Sequence, residues 1–179
     1  MSQDSAAGRT LARREIHDGH VGSFGIELVD LPNGQQVPLE ILRHPGAAAV
    51  VPMHEDGSIT LIQQYRHAGG GTIWEIPAGK LNPGEDPADC AARELAEEAG
   101  LAGTLTPLLP LLTTPAFTDE VIHLFVARDL RVVPIAPEAD EVIEPVRLSR
   151  REVEALIDRG AIRDGKTLVG ILLAWRGMR

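Results

Sequence analysis

The sequence predicts an α+β protein or a layered α/β sandwich. Strand patterns dominate before residue 130, a single helix is inserted midway, and two helices close the chain. At 179 residues the chain suits one well-cored domain with small additions.

Residues 1 to 20 are polar and show no sustained period, so they read as a loose arm or a short docking strand. "FGIELVDL" at 24–31 and "QVPLEILR" at 36–43 flank "PNGQ", where Asn33 and Gly34 are expected to supply the positive φ angles of a tight turn. The N-terminal β-hairpin therefore spans 21–43, and the main domain 44–179. "AAAVVPM" at 47–53, the turn "EDGS" and "ITLIQQYR" at 59–66 repeat the strand, turn, strand pattern. Further strands are expected at 73–76, 105–112 and 121–127.

The helical signals are few and specific. Asp86 suits an N-cap, Pro87 the first helical position and Gly100 the left-handed terminus, which places a helix over 87–99. Ala88, Ala91, Ala92, Leu95 and Ala99 form its expected core stripe, with Glu94, Glu97 and Glu98 off it. A capping box from Ser149 to Glu152 opens a second helix that ends near Gly160, and a third covers about 166–175.

Composition excludes several classes. No apolar run approaches the roughly 18 residues of a membrane span, and a net charge of −9 argues against a nucleic-acid-binding surface. The lone Cys90 makes no internal disulfide and no cysteine zinc site. The N-terminus has no apolar signal core, so the cytoplasm is expected.

Three carboxylates, Glu94, Glu97 and Glu98, sit within little more than one helical turn, where like charges repel. Such a cluster is either a solvated acidic face or a site for a hard cation such as Mg²⁺. The surrounding pattern favours the site. "GKLNPGEDPADCAARELAEEAGL" fixes Gly79, Glu85, Arg93-Glu94-Leu95, Glu97-Glu98 and Gly100-Leu101, nine positions over 23 residues. It resembles in full the signature of the Nudix hydrolases, which cleave a diphosphate joining a nucleoside to another group.

That resemblance implies an α/β/α sandwich with a mixed sheet. It also implies Mg²⁺, with Mn²⁺ as a substitute, held by Glu94 and Glu98, with Glu97 and the Ala78 carbonyl as further ligands. Glu85 and Arg93 look like the family's supporting pair beside the metal. Outside the box, "QQYRHAGGGTIWEIPAGKL", "TTPAFTDEVIHLF" and "PEADEVIE" resemble the branch that hydrolyses ADP-ribose and related nucleoside diphosphate sugars. By that likeness Arg66, Glu75, Pro115, Phe117 and Asp119 are substrate-binding positions, although Ala116 stands where the branch commonly has glycine. The catalytic base is Glu141 or Glu138, with Glu141 placed first on its spacing to the following strand. A homodimer with crossed N-terminal strands is also implied. The alternatives are a Nudix hydrolase of nucleoside triphosphates or dinucleoside polyphosphates, and a sensor that binds ADP-ribose without cutting it.

Two signals are set aside. "GAIRDGKT" at 160–167 fits a phosphate-binding loop pattern, but a helix precedes it where a buried strand is required. A helix-to-helix turn accounts for it better. The six histidines, at 17, 20, 44, 54, 67 and 123, have no zinc spacing.

Overall fold

The computed structural model describes residues 8–136 and 142–177. Its contacts divide the chain into two compact units: one gathers the residues up to Pro45 with Thr114–Glu120, the other comprises Gly46–Thr113 and the residues from Val121 onward.

The first unit is an antiparallel sheet of β1 (Arg9–Asp18), β2 (Ser23–Asp30) and β3 (Gln36–Arg43), in the order β1-β2-β3. The sequence predicts an arm or a docking strand over residues 1 to 20, and Arg9–Asp18 is a strand paired along β2. The turn between β2 and β3 differs from the expected form, because Gly34 has a positive φ of 81° while Asn33 does not. Pro32 is the reason: its ring holds φ near −65°, which fits the first central position of a type I turn, and it lacks the N–H that a two-residue turn centred on Asn33-Gly34 would use at that place. Gly34 then takes the left-handed position, with its N–H donating to the Leu31 carbonyl at 2.8 Å. The Asn33 side chain accepts from the Gln35 amide.

Glu27 of β2 is almost fully buried and carries the charge balance of this sheet. Arg43 grips it with Nε at 2.7 Å from Oε1 and Nη2 at 2.5 Å from Oε2, Arg13 adds Nη1 at 2.6 Å, and Thr10 donates its hydroxyl. The hydrogen bonds from Arg43 and Arg13 outweigh desolvation and hold the Glu27 carboxyl at about 2.

The second unit is layered. A mixed sheet runs β7 (Ala78–Lys80), β4 (Ala47–Pro52), β9 (Val121–Val132), β8 (Leu101–Leu112), with β4 and β9 parallel. A smaller antiparallel sheet runs β10 (Ile143–Leu148), β5 (Ile59–Arg66), β6 (Gly71–Glu75). β4 is buried along its whole length, as its unbroken apolar sequence requires of a central strand covered on both faces. Ala48 and Val50 pack with Cys90, Ala91 and Leu95 of α1 (Pro87–Ala99). Ala47, Ala49 and Val51 turn the other way, into a core with Val153 and Leu156 of α2 (Arg150–Asp158) and Ile171 and Ala174 of α3 (Gly165–Arg176). Helix, sheet, helix is the sandwich expected.

β8 starts at Leu101, directly after the Gly100 cap, instead of at 105, and β9 extends to Val132. The expected strand at 105–112 contains Pro107 and Pro110, and β8 accommodates them because it lies at the sheet edge, where a missing N–H is tolerated. Two bulges take up the irregularity.

Candidate active site

Helix α1 has the bounds its caps predict. Asp86 accepts from the Ala88 amide, Pro87 occupies the first turn, and Gly100 ends the helix at φ 63°. Its buried face keeps Ala91, Leu95 and Ala99 of the expected stripe, with Ala88 packed against the same core, but departs from it elsewhere. Ala92 is exposed, whereas Glu94 and Glu98 are buried with Cys90, Ala91, Leu95 and Ala99. Glutamates belong on a polar face by pattern alone, but here that side of the helix lies against the backbone of β7, which supplies polar groups that apolar packing would not.

The contacts are close. The Ala78 amide donates to Glu98 Oε2 at 2.8 Å. Gly79 allows Glu94 its place, because a Cβ at residue 79 would stand 1.7 Å from Glu94 Oε1. Cys90 packs beneath the same strand, its Sγ 3.6 Å from the carbonyl oxygens of Gly79 and Lys80, and burial pushes its thiol up to about 12. It is a packing residue.

Arg93 offsets the repulsion among the acids. Its Nε and Nη2 donate to the two oxygens of Glu85 at 3.0 and 3.2 Å, and its Nη1 to Glu94 at 2.6 Å and Glu97 at 3.1 Å. One fixed guanidinium fork thus gathers three of the four signature carboxylates. Glu85 is brought in by the loop before the helix, where it also accepts from the Asn82 amide. The Arg93 hydrogen bond is the main cause of its carboxyl lying at about 2, and Arg93 is held above its usual value by the same contact.

Among the described residues, no three His, Cys, Asp or Glu side chains form a ready-made metal cage. Nevertheless the donor chemistry suits a hard divalent cation: Glu94, Glu97 and Glu98 offer only oxygen, and two of them are already desolvated. Arg93 Nη1 lies on Glu94 and Glu97, so a cation there would share those oxygens with the guanidinium or displace it.

Arg66 and Glu75 are also brought together, by the pairing of β5 with β6. Glu75 is 2 % exposed. Arg66 donates to it through Nε and Nη2, both at 3.1 Å, and Lys166 Nζ adds a third donor at 2.7 Å. Burial works against the charged form, but the Arg66 hydrogen bonds and the Lys166 charge prevail and lower the pKa of Glu75. Trp74 is half-buried against the α2–α3 core, a packing position.

Lys166 was not singled out from the sequence, although "GKT" carried it. The turn joins α2 to α3, as expected, and Asp164 caps α3 by accepting from the Thr167 amide and hydroxyl. A carboxylate of the chain itself fills the helix N-terminus where a phosphate-binding loop would hold its ligand.

Pro115, Phe117 and Asp119 lie in the first unit. Pro115 and Phe117 are exposed, while Asp119 accepts from Arg43 Nη1 at 3.0 Å and from the His44 amide at 2.8 Å. The Leu42 amide donates to the Phe117 carbonyl at 2.8 Å, so this loop is strapped to the end of β3. Glu138 and Glu141 lie outside the described residues.

The NUDIX domain family matches residues 42–169, most of the chain. The chain belongs to the Nudix family. An ADP-ribose pyrophosphatase of Bacillus subtilis is 39% identical over 166 residues, covering 91% of this chain and 90% of that protein. A methanol dehydrogenase activator of Bacillus methanolicus is equally similar, 39% identical with the same coverage. Among solved structures, an ADP compounds hydrolase superposes with a TM-score of 0.82 over 99% of this chain and 97% of that one, at 20% identity, which shows the Nudix fold. Nudix hydrolases generally use divalent metal cations.

Proposed function

We propose that the chain hydrolyses the pyrophosphate bond of ADP-ribose or a related nucleoside diphosphate sugar, releasing a nucleoside monophosphate and a sugar phosphate. The observation that carries the proposal is the buried pair Glu94 and Glu98 seated on the Ala78–Gly79 backbone, with Arg93 joining Glu94 to Glu85 and Glu97.

Mg²⁺, or Mn²⁺ in its place, would be held by Glu94, Glu98, Glu97 and the Ala78 carbonyl, with Glu85 in support. Such a cation supplies neutralisation of the pyrophosphate and Lewis acidity at phosphorus. The chain's residues do the remaining work. Arg93 holds the Glu85, Glu94 and Glu97 carboxylates in place by hydrogen bonds, which positions them before the reaction. Water attacks one phosphorus, its proton passes to a carboxylate oxygen of Glu141, with Glu138 second, and the bridging P–O bond breaks. Arg66, paired with Glu75, presents a guanidinium suited to a phosphate or a base. Pro115, Phe117 and Asp119 are likewise proposed as substrate-binding positions, on a loop that Asp119 ties to Arg43 and the His44 amide.

A homodimer is proposed through the first unit, supported by the exposed Ile16, Val21, Leu28 and Leu39. No helix among the described residues is long and apolar enough to cross a membrane. Separately, on the polar N-terminal sequence and the net charge of −9, we place the enzyme in the cytoplasm, without nucleic acid as a partner. The deciding experiment is product analysis over a panel of ADP-ribose, other nucleoside diphosphate sugars, nucleoside triphosphates and dinucleoside polyphosphates with Mg²⁺. Monophosphate and sugar phosphate from the first two groups are expected. Preferred hydrolysis of a triphosphate would overturn the substrate assignment, and tight ADP-ribose binding without turnover would indicate a sensor.

A further inference from the structure

The run from Glu75 to Ala78 leads from the Arg66 pair into the proposed metal-binding corner, and each of its residues is held by another part of the second unit. The Glu75 carboxylate is held by Arg66 and Lys166. The Ile76 amide donates to Thr167 Oγ1 at 2.9 Å, the Pro77 carbonyl accepts from the Val50 amide at 3.0 Å, and the Ala78 amide donates to Glu98. Two of these five partners, Lys166 and Thr167, are adjacent residues at the first turn of α3. Thr167 is fully buried, and its hydroxyl, having accepted from Ile76, donates onward to Asp164 Oδ2 at 2.6 Å. Lys166 Nζ bridges Glu75 and the same Asp164 oxygen, at 2.7 and 3.0 Å.

Nothing in helix capping requires this. Asp164 alone caps α3, and a buried threonine hydroxyl could have satisfied itself on its own helix. Instead the turn reaches across to the strand that carries the site.

Resting on the pyrophosphatase function above, we propose that the first turn of α3 is a positioning brace for the site, in which Thr167 sets the Ala78–Glu98 corner through Ile76 and Lys166 sets Arg66 through Glu75. Neither residue is a catalytic residue. Thr167 acts two residues upstream of Ala78, where a shift of the backbone alters the angle at which the Ala78 carbonyl and the Glu98 carboxylate face a cation. Lys166 fixes Glu75, and the bidentate contact then fixes the plane of the Arg66 guanidinium.

The two halves predict different kinetic signatures. Thr167→Val keeps the shape and removes both hydrogen bonds. It is expected to raise the half-saturating Mg²⁺ or Mn²⁺ concentration about tenfold, read both as hydrolysis and as the rise in Tm with added cation, with KM changed less than twofold. Thr167→Ser should restore the cation response to within about twofold of the wild type. Lys166→Met should raise KM for ADP-ribose at least threefold, leaving kcat and the cation midpoint within about twofold. Lys166→Arg, which keeps the charge, should recover part of that loss. Should Thr167→Val not fold, the KM of Lys166→Met decides. Wild-type cation titration in folded Thr167→Val, or wild-type KM in Lys166→Met, overturns the brace. The cation-dependent Tm is independent of the substrate assigned, so if the wild type hydrolyses none of the panel while Thr167→Val still shifts the cation-dependent Tm, the pyrophosphatase function is refuted and the brace stands.

Discussion

Replacing Gly79 by alanine tests the geometry of the site without touching any of its charges. A Cβ built there lies 1.7 Å from Glu94 Oε1, 2.2 Å from its Cδ and 2.8 Å from Oε2, so the whole carboxylate stands in its way. To reach an ordinary 3.4 Å contact the nearest oxygen must double its separation. The colliding atoms are the far end of a flexible side chain, so Glu94 will swing away and the strand will stay. Swinging breaks the 2.6 Å contact with Arg93 Nη1 and removes one of the two buried carboxylates from its place beside Glu98. Displacements of about 1 Å at a reacting centre cost on the order of 100-fold in rate. We therefore expect Gly79→Ala to lower kcat/KM for ADP-ribose by at least that factor. Stability should fall by only about 1 kcal/mol, roughly 2–4 °C in Tm for a chain of this length. The assay pairs steady-state kinetics at saturating Mg²⁺ with a thermal melt of the same sample. A kcat/KM within threefold of wild type would refute the claim that Glu94 must sit against Gly79. A Tm lower by more than 10 °C would show instead that the backbone yields.

Glu98→Gln can still accept from the Ala78 amide but loses its charge, so the fold should persist while activity falls by more than about 100-fold, since even outer partners of metal ligands cost about 10–100-fold. In the same variant divalent cations should raise Tm less than in wild type, checked by calorimetry; an equal rise would exclude Glu98 as a ligand. Glu27→Gln should lower Tm at pH 7, because two arginines lose their buried partner. The native Glu27 carboxyl is depressed to about 2, so its contribution is complete above the unfolded value near 4.5 and fades as pH falls through 2; the Tm gap between wild type and variant should narrow over that range, and a constant gap would contradict the charge-based account. Glu141→Gln should reduce kcat far more than Glu138→Gln, with KM little changed in either, and the reverse order in single-turnover kinetics would move the base to Glu138.

Much of this protein was legible in one dimension wherever the determinants are local. Helix α1 begins and ends where Asp86, Pro87 and Gly100 dictate, since capping and backbone conformation are decided by neighbours in sequence. The hydrophobic run at 47–53 announced the strand β4, and the spacing of the signature residues named the family. Locality has limits even in a turn: Asn33-Gly34 pointed to two left-handed residues, and Pro32 one position earlier favoured a turn with only one.

What only the tertiary structure decided concerns partners distant along the chain. The helical period placed Glu94 and Glu98 off the core stripe, yet the backbone of β7 reaches them and they are buried, because polar main-chain groups offset part of the cost of desolvating a carboxylate. The sequence showed three clustered acids and proposed an external cation. Only the fold shows Arg93 already shared among Glu85, Glu94 and Glu97. Glu75 meets Lys166, and Ile76 meets Thr167, 91 residues away, contacts no pattern of spacing encodes. The sequence by itself determined the chemistry available to this protein. The packing of strands against helices determined which of those groups are buried, what neutralises them and which residues hold them in line.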